Sequence, residues 1–349
     1  MTRANALQNK LSEIGADSAL LRSPASLLYI SGFTGGEGTL VLSAKRRCLL
    51  VDSRYTLQAK AEAPDFEILP YDTPLSSLLE NAKHIAYEGD FLSVNAFSRL
   101  GDALPKKQWV NLGDTLLHLR KSKDYGELSA ITEAVKLADA AFAYTVKRIR
   151  PGMREFEVAA LLEGFMRREA GALPSFPTIC ASGMRSALPH GAASDKVLCK
   201  GEFLTMDFGC LLNGYCSDIT RTVVLGPASD RHKEIYNVVL YAQSLAENAV
   251  QGNMEASVLD KIARDSIAGF GYGEYFGHAL GHGVGLEIHE YPTVSPRSAH
   301  RIDAGDVFTI EPGIYIPNFG GVRIEDMVYA TKDSYAVLTK TPKKLLEIL

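Results

Sequence analysis

The sequence predicts a two-domain protein of mixed α and β structure: a small α/β layer followed by a larger α+β domain. Three observations predict it. The chain has 349 residues, enough to build two separate cores. Short apolar runs alternate with helical patterns up to about residue 118. Beyond Pro174 the texture changes to strands broken by glycine-rich loops.

The elements follow in order. Leu7, Leu11 and Ile14 form one stripe of an opening helix, with polar residues between them, so the first stretch reads as a helix and not as a signal peptide. Ser18–Leu21, Thr39–Ser43 and Arg47–Val51 read as strands, with Gly35-Gly36-Glu37-Gly38 punctuating the approach to the second. Tyr55–Ala63 reads as a helix closed by Pro64, and Phe66–Leu69 and Ile85–Tyr87 as further strands. His118–Asp124 (HLRKSKD) is charged and poorly periodic, which places a linker at 119–123 between domains 1–118 and 124–349. A long helix runs from Tyr125 to about Ile149, with Ile131, Val135, Ala138 and Ala141 at helical spacing, and Pro151-Gly152 stops it. Val158, Leu161, Leu162 and Phe165 share one side of a second helix, Glu155–Glu169. No short-period repeat or low-complexity segment interrupts this order.

Composition excludes several classes. A net charge of −4 offers neither a nucleic-acid surface nor a polybasic membrane anchor. No run approaches the roughly 20 apolar residues that cross a bilayer. The five cysteines, Cys48, Cys180, Cys199, Cys210 and Cys216, are odd in number and lack a C-x-x-C pair, so a reducing cytoplasm is expected. Cys210 and Cys216 flank a turn and read as apolar filler in preference to metal ligands. His84, His118, His232 and His300 sit in ordinary polar surroundings and read as surface residues.

Chemistry concentrates in three segments. In EFLTMDFGCLLNGYCSDITRTVVLG (202–226), Asn213-Gly214 between two β-rich runs is a hairpin signal. A two-residue turn there sets Leu212 opposite Tyr215 and Gly209 opposite Asp218, and Asp207 points to the same face as Asp218. The carboxylates are then diagonal neighbours, about 7–8 Å apart at the backbone, with room for a cation. In FGHALGHGVGLEIHE (276–290), four glycines argue against a helix despite the spacing of His278 and His282, and three histidines fall within twelve residues. In TIEPGIYIPNFGGVRIED (309–326), strands around Val307–Ile316 and Val322–Ala330 carry Glu311 and Glu325 among apolar neighbours. A glutamate there must be paired, protonated or metal-bound, and Arg323, on the face of Glu325, is the competing ion-pair partner. Asp207, Asp218, His282, Glu311 and Glu325 together make one imidazole and four carboxylates, whose charge two divalent ions cancel. Such a pair can hold a hydroxide between them, so the chain reads as a dinuclear metallohydrolase.

The stretches MDFG, GYCSDITRT, GHGVGLEIHE, TIEPGIY and VRIED resemble the pita-bread metallopeptidases, which include prolidase, aminopeptidase P and methionine aminopeptidase. The resemblance covers the chain from about Asp124 onward. YISGFTGGEG and VDSRYTLQA look like the creatinase-type amino domain of the proline-specific branch. It implies an α+β pita-bread catalytic domain behind an α/β N-terminal domain that helps form a homodimer and narrows the active-site entrance.

On this resemblance Asp207 would hold one metal through both oxygens, Asp218 and Glu325 would bridge the two, and His282 and Glu311 would complete the second. Oxygen-rich ligation with one imidazole suits Mn²⁺ or Co²⁺, with Zn²⁺ or Fe²⁺ as alternatives. Glu311 would relay the proton of the water to the leaving nitrogen, His289 would stabilise the oxyanion, and His190 (in ALPHG) would lie near the scissile nitrogen. Tyr315, Arg323, His190 and His289 would wall the proline pocket, with His278 and Phe176 as supporting groups and core packing preferred for Phe176. Asp52, Arg54 and Tyr55 sit where a strand passes into a helix, which fits a functional, capping or salt-bridging role alike. The expected substrates are Xaa-Pro dipeptides or short peptides with proline second. Dipeptidase and aminopeptidase P both remain open. A non-peptide hydrolase or lyase on the same cage is the alternative, and a non-catalytic binding protein ranks last.

Overall fold

The computed structural model describes residues 2–348. The chain divides between Arg120 and Lys121 into two compact units. In the first, the strands Glu67–Pro70, Arg47–Val51, Thr39–Ser43, Ser18–Leu21, His84–Tyr87 and Gln108–Asn111 lie side by side in that order. The three central pairings mix directions: Thr39–Ser43 runs antiparallel to both its neighbours, and Ser18–Leu21 runs parallel to His84–Tyr87. Alternation supplies the core, because Leu20, Val41, Cys48, Leu50 and Ile85 face one side and bury themselves against Leu78, Leu79, Leu100 and Leu104 of the helical layer. The helix Arg3–Glu13 packs on the two central strands.

The helix expected over Tyr55–Ala63 is a 3₁₀ turn, Ser53–Tyr55, continued by Thr56–Glu62. Asp52 caps it, accepting from the Arg54 backbone at 3.0 Å and from Arg54 Nε at 2.7 Å. The segment 119–123 is not the loose linker its charge suggests. A helix, Thr115–Lys121, runs into it. Lys121 pairs with Asp306 at 2.9 Å, and Lys123 pairs with Glu290 at 2.8 Å, both of the latter side chains being 1% exposed. Each lysine thus has a carboxylate partner far along the chain, which local composition cannot reveal.

The second unit opens with the helices Tyr125–Val146 and Glu155–Ala170. Asp124 and Glu127 form a capping box at the start of the first, and Gly171, at φ 66°, closes the second. Their buried faces (Ala138, Phe142, Val158, Leu162, Met166) pack on Leu204, Met206, Phe208 and Ile219. Those residues belong to a sheet ordered Glu347–Ile348, Ile219–Leu225, Glu202–Phe208, Ile179–Ser182. A second sheet is ordered Glu290–Val294, Gly281–Gly283, Val307–Ile310, Asp326–Ala330, Tyr335–Val337. The helices Asp230–Asn248 and Ala256–Gly269 cover it through Ile235, Val239, Leu259 and Phe308. Strands thus lie between helical pairs, the α+β arrangement expected for this half.

One minor expectation changes. His232 is buried, not on the surface. It sits at the third position of its helix, where Nδ1 accepts from the Ser229 backbone at 3.2 Å while Ser229 Oγ accepts from the His232 backbone. Phe176, for which core packing is preferred, is half-buried.

Candidate metal centre

The hairpin that carries the two aspartates forms as its turn residues dictate. Asn213 and Gly214 have φ of 52° and 83°, the left-handed pair of a two-residue hairpin turn. Leu212 pairs with Tyr215, and the same register continues to Phe208 with Ile219 and Asp207 with Thr220. Gly209 is therefore opposite Asp218, and Asp207 and Asp218 are diagonal neighbours on one face.

The two glutamates sit at a shared break. Ile310 pairs with Asp326 and Gly313 with Arg323, so Glu311 falls opposite Glu325. The strands expected to run unbroken over Val307–Ile316 and Val322–Ala330 each divide here into two. Pro312 has no N–H to continue the ladder. The glutamate backbones turn to other partners: Glu311 N donates to Leu280 O at 2.8 Å, and Glu325 N donates to Thr220 O at 3.2 Å. One glutamate is thereby tied to the segment that leads to His282, the other to the aspartate hairpin.

His282 is held by its glycine neighbours. A Cβ on Gly281 would lie 2.0 Å from Thr309 O, and one on Gly283 would lie 2.1 Å from Tyr291 O, so only glycine lets the flanking strands approach. His282 Nδ1 is 3.1 Å from the Gly283 carbonyl, which can only accept. The proton is therefore on Nδ1, and the Nε2 lone pair points inward. It faces Glu311 Oε1 at 3.4 Å and Asp218 Oδ2 at 3.6 Å.

A lone pair aimed at carboxylate oxygens is repulsive unless a cation or protons lie between them. Burial and the neighbouring carboxylates hold Asp218 and Glu325 well above the usual carboxylate range. Burial pushes Glu311 up to about 8. Burial lowers His282 to about 4. Asp207 Oδ1, Asp218 Oδ1 and Glu325 Oε1 are buried with no hydrogen-bond partner. Ligand atoms of Asp218, His282 and Glu325 all lie within 4.8 Å of one another. Orphaned carboxylate oxygens beside an unprotonated imidazole nitrogen are a donor set that fits divalent cations.

Arg323 organises the other side, and differently from expectation. It does not pair with Glu325. Its Nη2 donates to Asp207 Oδ2 at 2.6 Å, Nη1 to the Tyr315 hydroxyl at 2.7 Å, and Nε to Thr220 Oγ1 at 3.0 Å. Glu325 Oε2 instead accepts from Thr220 Oγ1 at 2.7 Å. His278 donates from Nδ1 to the Ala279 carbonyl at 2.8 Å, so its Nε2 accepts from the Tyr315 hydroxyl at 2.9 Å. Burial, with Arg323 adding to it, lowers His278 to about 4 and keeps it neutral. His289 is open to solvent on one side and shielded on the other, its ring centroid 4.3 Å from that of His282. His190 is also exposed, beside Pro189, whose carbonyl accepts from Arg323 at 3.2 Å. Cys210 and Cys216 are buried free thiols, raised to about 11 and about 12 by burial, as filler would be.

Sequence reasoning passed over Thr220 and Thr309. Thr309 Oγ1 accepts from the His282 backbone at 3.1 Å and donates to Glu311 Oε1 at 3.1 Å. Each threonine is a hydroxyl inside an apolar strand within two residues of a candidate ligand, and that spacing was the available signal.

Carboxylates and one imidazole gathered on strands and at the breaks between them are the donor set that a metallohydrolase centre uses. Comparison with known proteins gives the family. Residues 129–332 match the model for metallopeptidase family M24, and residues 3–122 match the creatinase/prolidase N-terminal domain. The chain belongs to metallopeptidase family M24. An Xaa-Pro dipeptidase of Pyrococcus furiosus is 40% identical over 347 residues, covering 99% of each chain. Among solved structures, an Xaa-Pro dipeptidase from Bacillus anthracis superposes with TM-score 0.96 at 41% identity, covering 99% of this chain and 98% of that one. An X-Pro aminopeptidase from Thermotoga maritima gives 0.91 at 40% identity, covering 100% of both. The family implies a divalent metal. No helix among the described residues is long and apolar enough to cross a membrane.

Proposed function

We propose that this chain is a two-metal exopeptidase that cleaves the Xaa-Pro bond at the N-terminus of dipeptides or short peptides. The observation that carries this is the set of buried, partnerless oxygens on Asp207, Asp218 and Glu325, together with ligand atoms of Asp218, Glu325 and His282 that lie within 4.8 Å of one another. Asp207, Asp218, His282, Glu311 and Glu325 would hold the two ions, for which Mn²⁺ or Co²⁺ suits the oxygen-rich donors. When bound, the ions supply an acidified water and polarise the scissile carbonyl.

The protein's own groups do the rest. Glu311, its Oε1 oriented by Thr309, takes the proton of the attacking water and passes it to the leaving nitrogen. His289, held below its ordinary range chiefly by the partial burial of its ring, is neutral near pH 7 and offers an N–H to the developing oxyanion. His190 lies at the exposed side, near the scissile nitrogen. Arg323, Tyr315 and His278 form a chain of hydrogen bonds that fixes one wall. Proline offers no N–H, so recognition must come from shape and from such walls. Relatives named dipeptidase and aminopeptidase are 41% and 40% identical, so both chain lengths of substrate belong to the proposal.

Chelated protein reconstituted with Mn²⁺ or Co²⁺ is assayed on Ala-Pro, Ala-Pro-Ala and Ala-Ala. Cleavage confined to the proline peptides is expected, and the preferred length separates the two activities. Metal uptake with no cleavage of any Xaa-Pro peptide would favour a lyase or non-peptide hydrolase on the same cage. We assign homodimerisation to the N-terminal unit on its creatinase/prolidase match, and sedimentation of the full chain checks it.

A further inference from the structure

A cavity of about 360 Å³ lies in the second unit, lined in part by Arg221, Thr222 and Val223 of the strand Ile219–Leu225. Its wall is apolar, formed by Phe142, Val146, Tyr236 and Leu345. It is within the size range of small-molecule pockets. Its charged lining is entirely cationic: Lys147, Lys344 and Arg221, with no carboxylate among the described residues that line it. Lys147 and Lys344 are exposed and make no ion pair among the described residues. Arg221 is 2% exposed and has its donors committed.

Those commitments lead to the metal centre. Arg221 Nη1 donates to the carbonyls of Thr220 and Glu325, and Nη2 to Asp326 Oδ1 at 2.7 Å. The same guanidinium donates to the carbonyls of Thr341 and Pro342, and Pro342 also lines the cavity. One side chain therefore connects the cavity and its 341–346 edge to the backbone of Glu325.

We propose that this cavity binds a small amphipathic monoanion, an aliphatic or aromatic body bearing one carboxylate, and that Arg221 transmits its occupancy to Glu325. The apolar wall takes the body, and Lys147 and Lys344 take the carboxylate. Seating a ligand against Pro342 shifts the carbonyls that Arg221 holds, and with them the carbonyl of Glu325. The binding half stands whether or not Glu325 ligates a metal. The coupling half rests on the proposed metal centre, so the experiment reads the two separately.

Octanoate is titrated calorimetrically into the full chain, with octanol as the uncharged control. Saturable octanoate binding is expected, tighter than octanol. The Lys147→Ala/Lys344→Ala double variant should weaken it by about fivefold or more, the scale of two exposed ion pairs. Ala143→Trp, at the exposed rim, should abolish it. Mn²⁺ is then titrated into chelated protein with and without octanoate. Its affinity should change severalfold in the wild type and not at all in Ala143→Trp, whose Mn²⁺ affinity without octanoate should match wild type and so report an intact fold. No saturable octanoate binding at millimolar concentration, equal binding of octanol, or binding untouched by Ala143→Trp overturns the site. Octanoate binding that leaves Mn²⁺ affinity unchanged in a protein that takes up Mn²⁺ overturns the coupling.

Discussion

Arg323 donates to Oδ2 of Asp207 at 2.6 Å while Oδ1 of the same carboxylate is buried with no partner. Only Oδ1 is left open to a cation of the proposed centre, because Oδ2 is taken by a fixed protein charge, so the expected ligation through both oxygens of Asp207 is not prearranged. Asp207 is held in place before any ion arrives, as a proposed ligand would be preorganised. The same guanidinium reaches Tyr315 and Thr220.

Arg323→Lys tests that arrangement. A lysine has one nitrogen and cannot reach three acceptors that a planar fork reaches. Removing one partner of a buried charge pair costs about 3 kcal/mol or more. We expect kcat/KM on an Xaa-Pro peptide to fall by about 100-fold or more in the metal-reconstituted variant. Wild-type kcat/KM in Arg323→Lys would contradict the assignment.

Thr220→Val keeps the shape of a buried side chain and deletes the hydroxyl between Arg323 Nε and Glu325 Oε2. Outer hydrogen bonds to a ligating carboxylate are worth about 10- to 100-fold in metal affinity. Mn²⁺ titrated calorimetrically into chelated variant and wild type should show a loss in that range. An unchanged affinity would mean that Glu325 needs no orienting group.

The pH dependence of the metal-free protein has a definite sign. Glu311 is raised from 4.5 to about 8, and Asp218 and Glu325 are raised with it, chiefly by burial. An acid raised on folding keeps protons that the unfolded chain releases. Its contribution to stability is complete below pH 4.5 and is lost as pH climbs towards 8. Chelated protein should therefore melt lower at pH 8 than at pH 5, all else held constant. Added Mn²⁺ should raise the melting temperature little at pH 5 and much more at pH 8. The opposite ordering, measured by differential scanning fluorimetry, would show that Glu311, Asp218 and Glu325 are not proton-bound in the apo protein.

What the sequence made legible depended on how local the cause was. The aspartate hairpin was readable because Asn213-Gly214 fixes a two-residue turn, and period-two alternation then places Asp207 and Asp218. The pairing of Arg323 with Asp207 was not readable, since it joins residues 116 apart across different sheets. Two residues from Glu325, Arg323 looked like its partner. The strand breaks at Glu311 and Glu325 were hidden for a related reason. Apolar runs such as Val307–Ile310 and Gly313–Ile316 read as one strand until their partners are known, and those partners lie in separate sheets. The motif MDFG and its companions located the site, while Thr220 and Thr309, which orient it, carry no charge that would draw notice.

The most direct test is to titrate Mn²⁺ into chelated full-length protein and into Glu325→Gln, reading stoichiometry calorimetrically. Two ions per chain are predicted for the wild type, with fewer and weaker sites once the carboxylate of Glu325 is neutralised. A wild type that takes up no Mn²⁺, or a Glu325→Gln variant that binds two ions as tightly as the wild type, would contradict the metal centre on which the proposed peptidase activity depends.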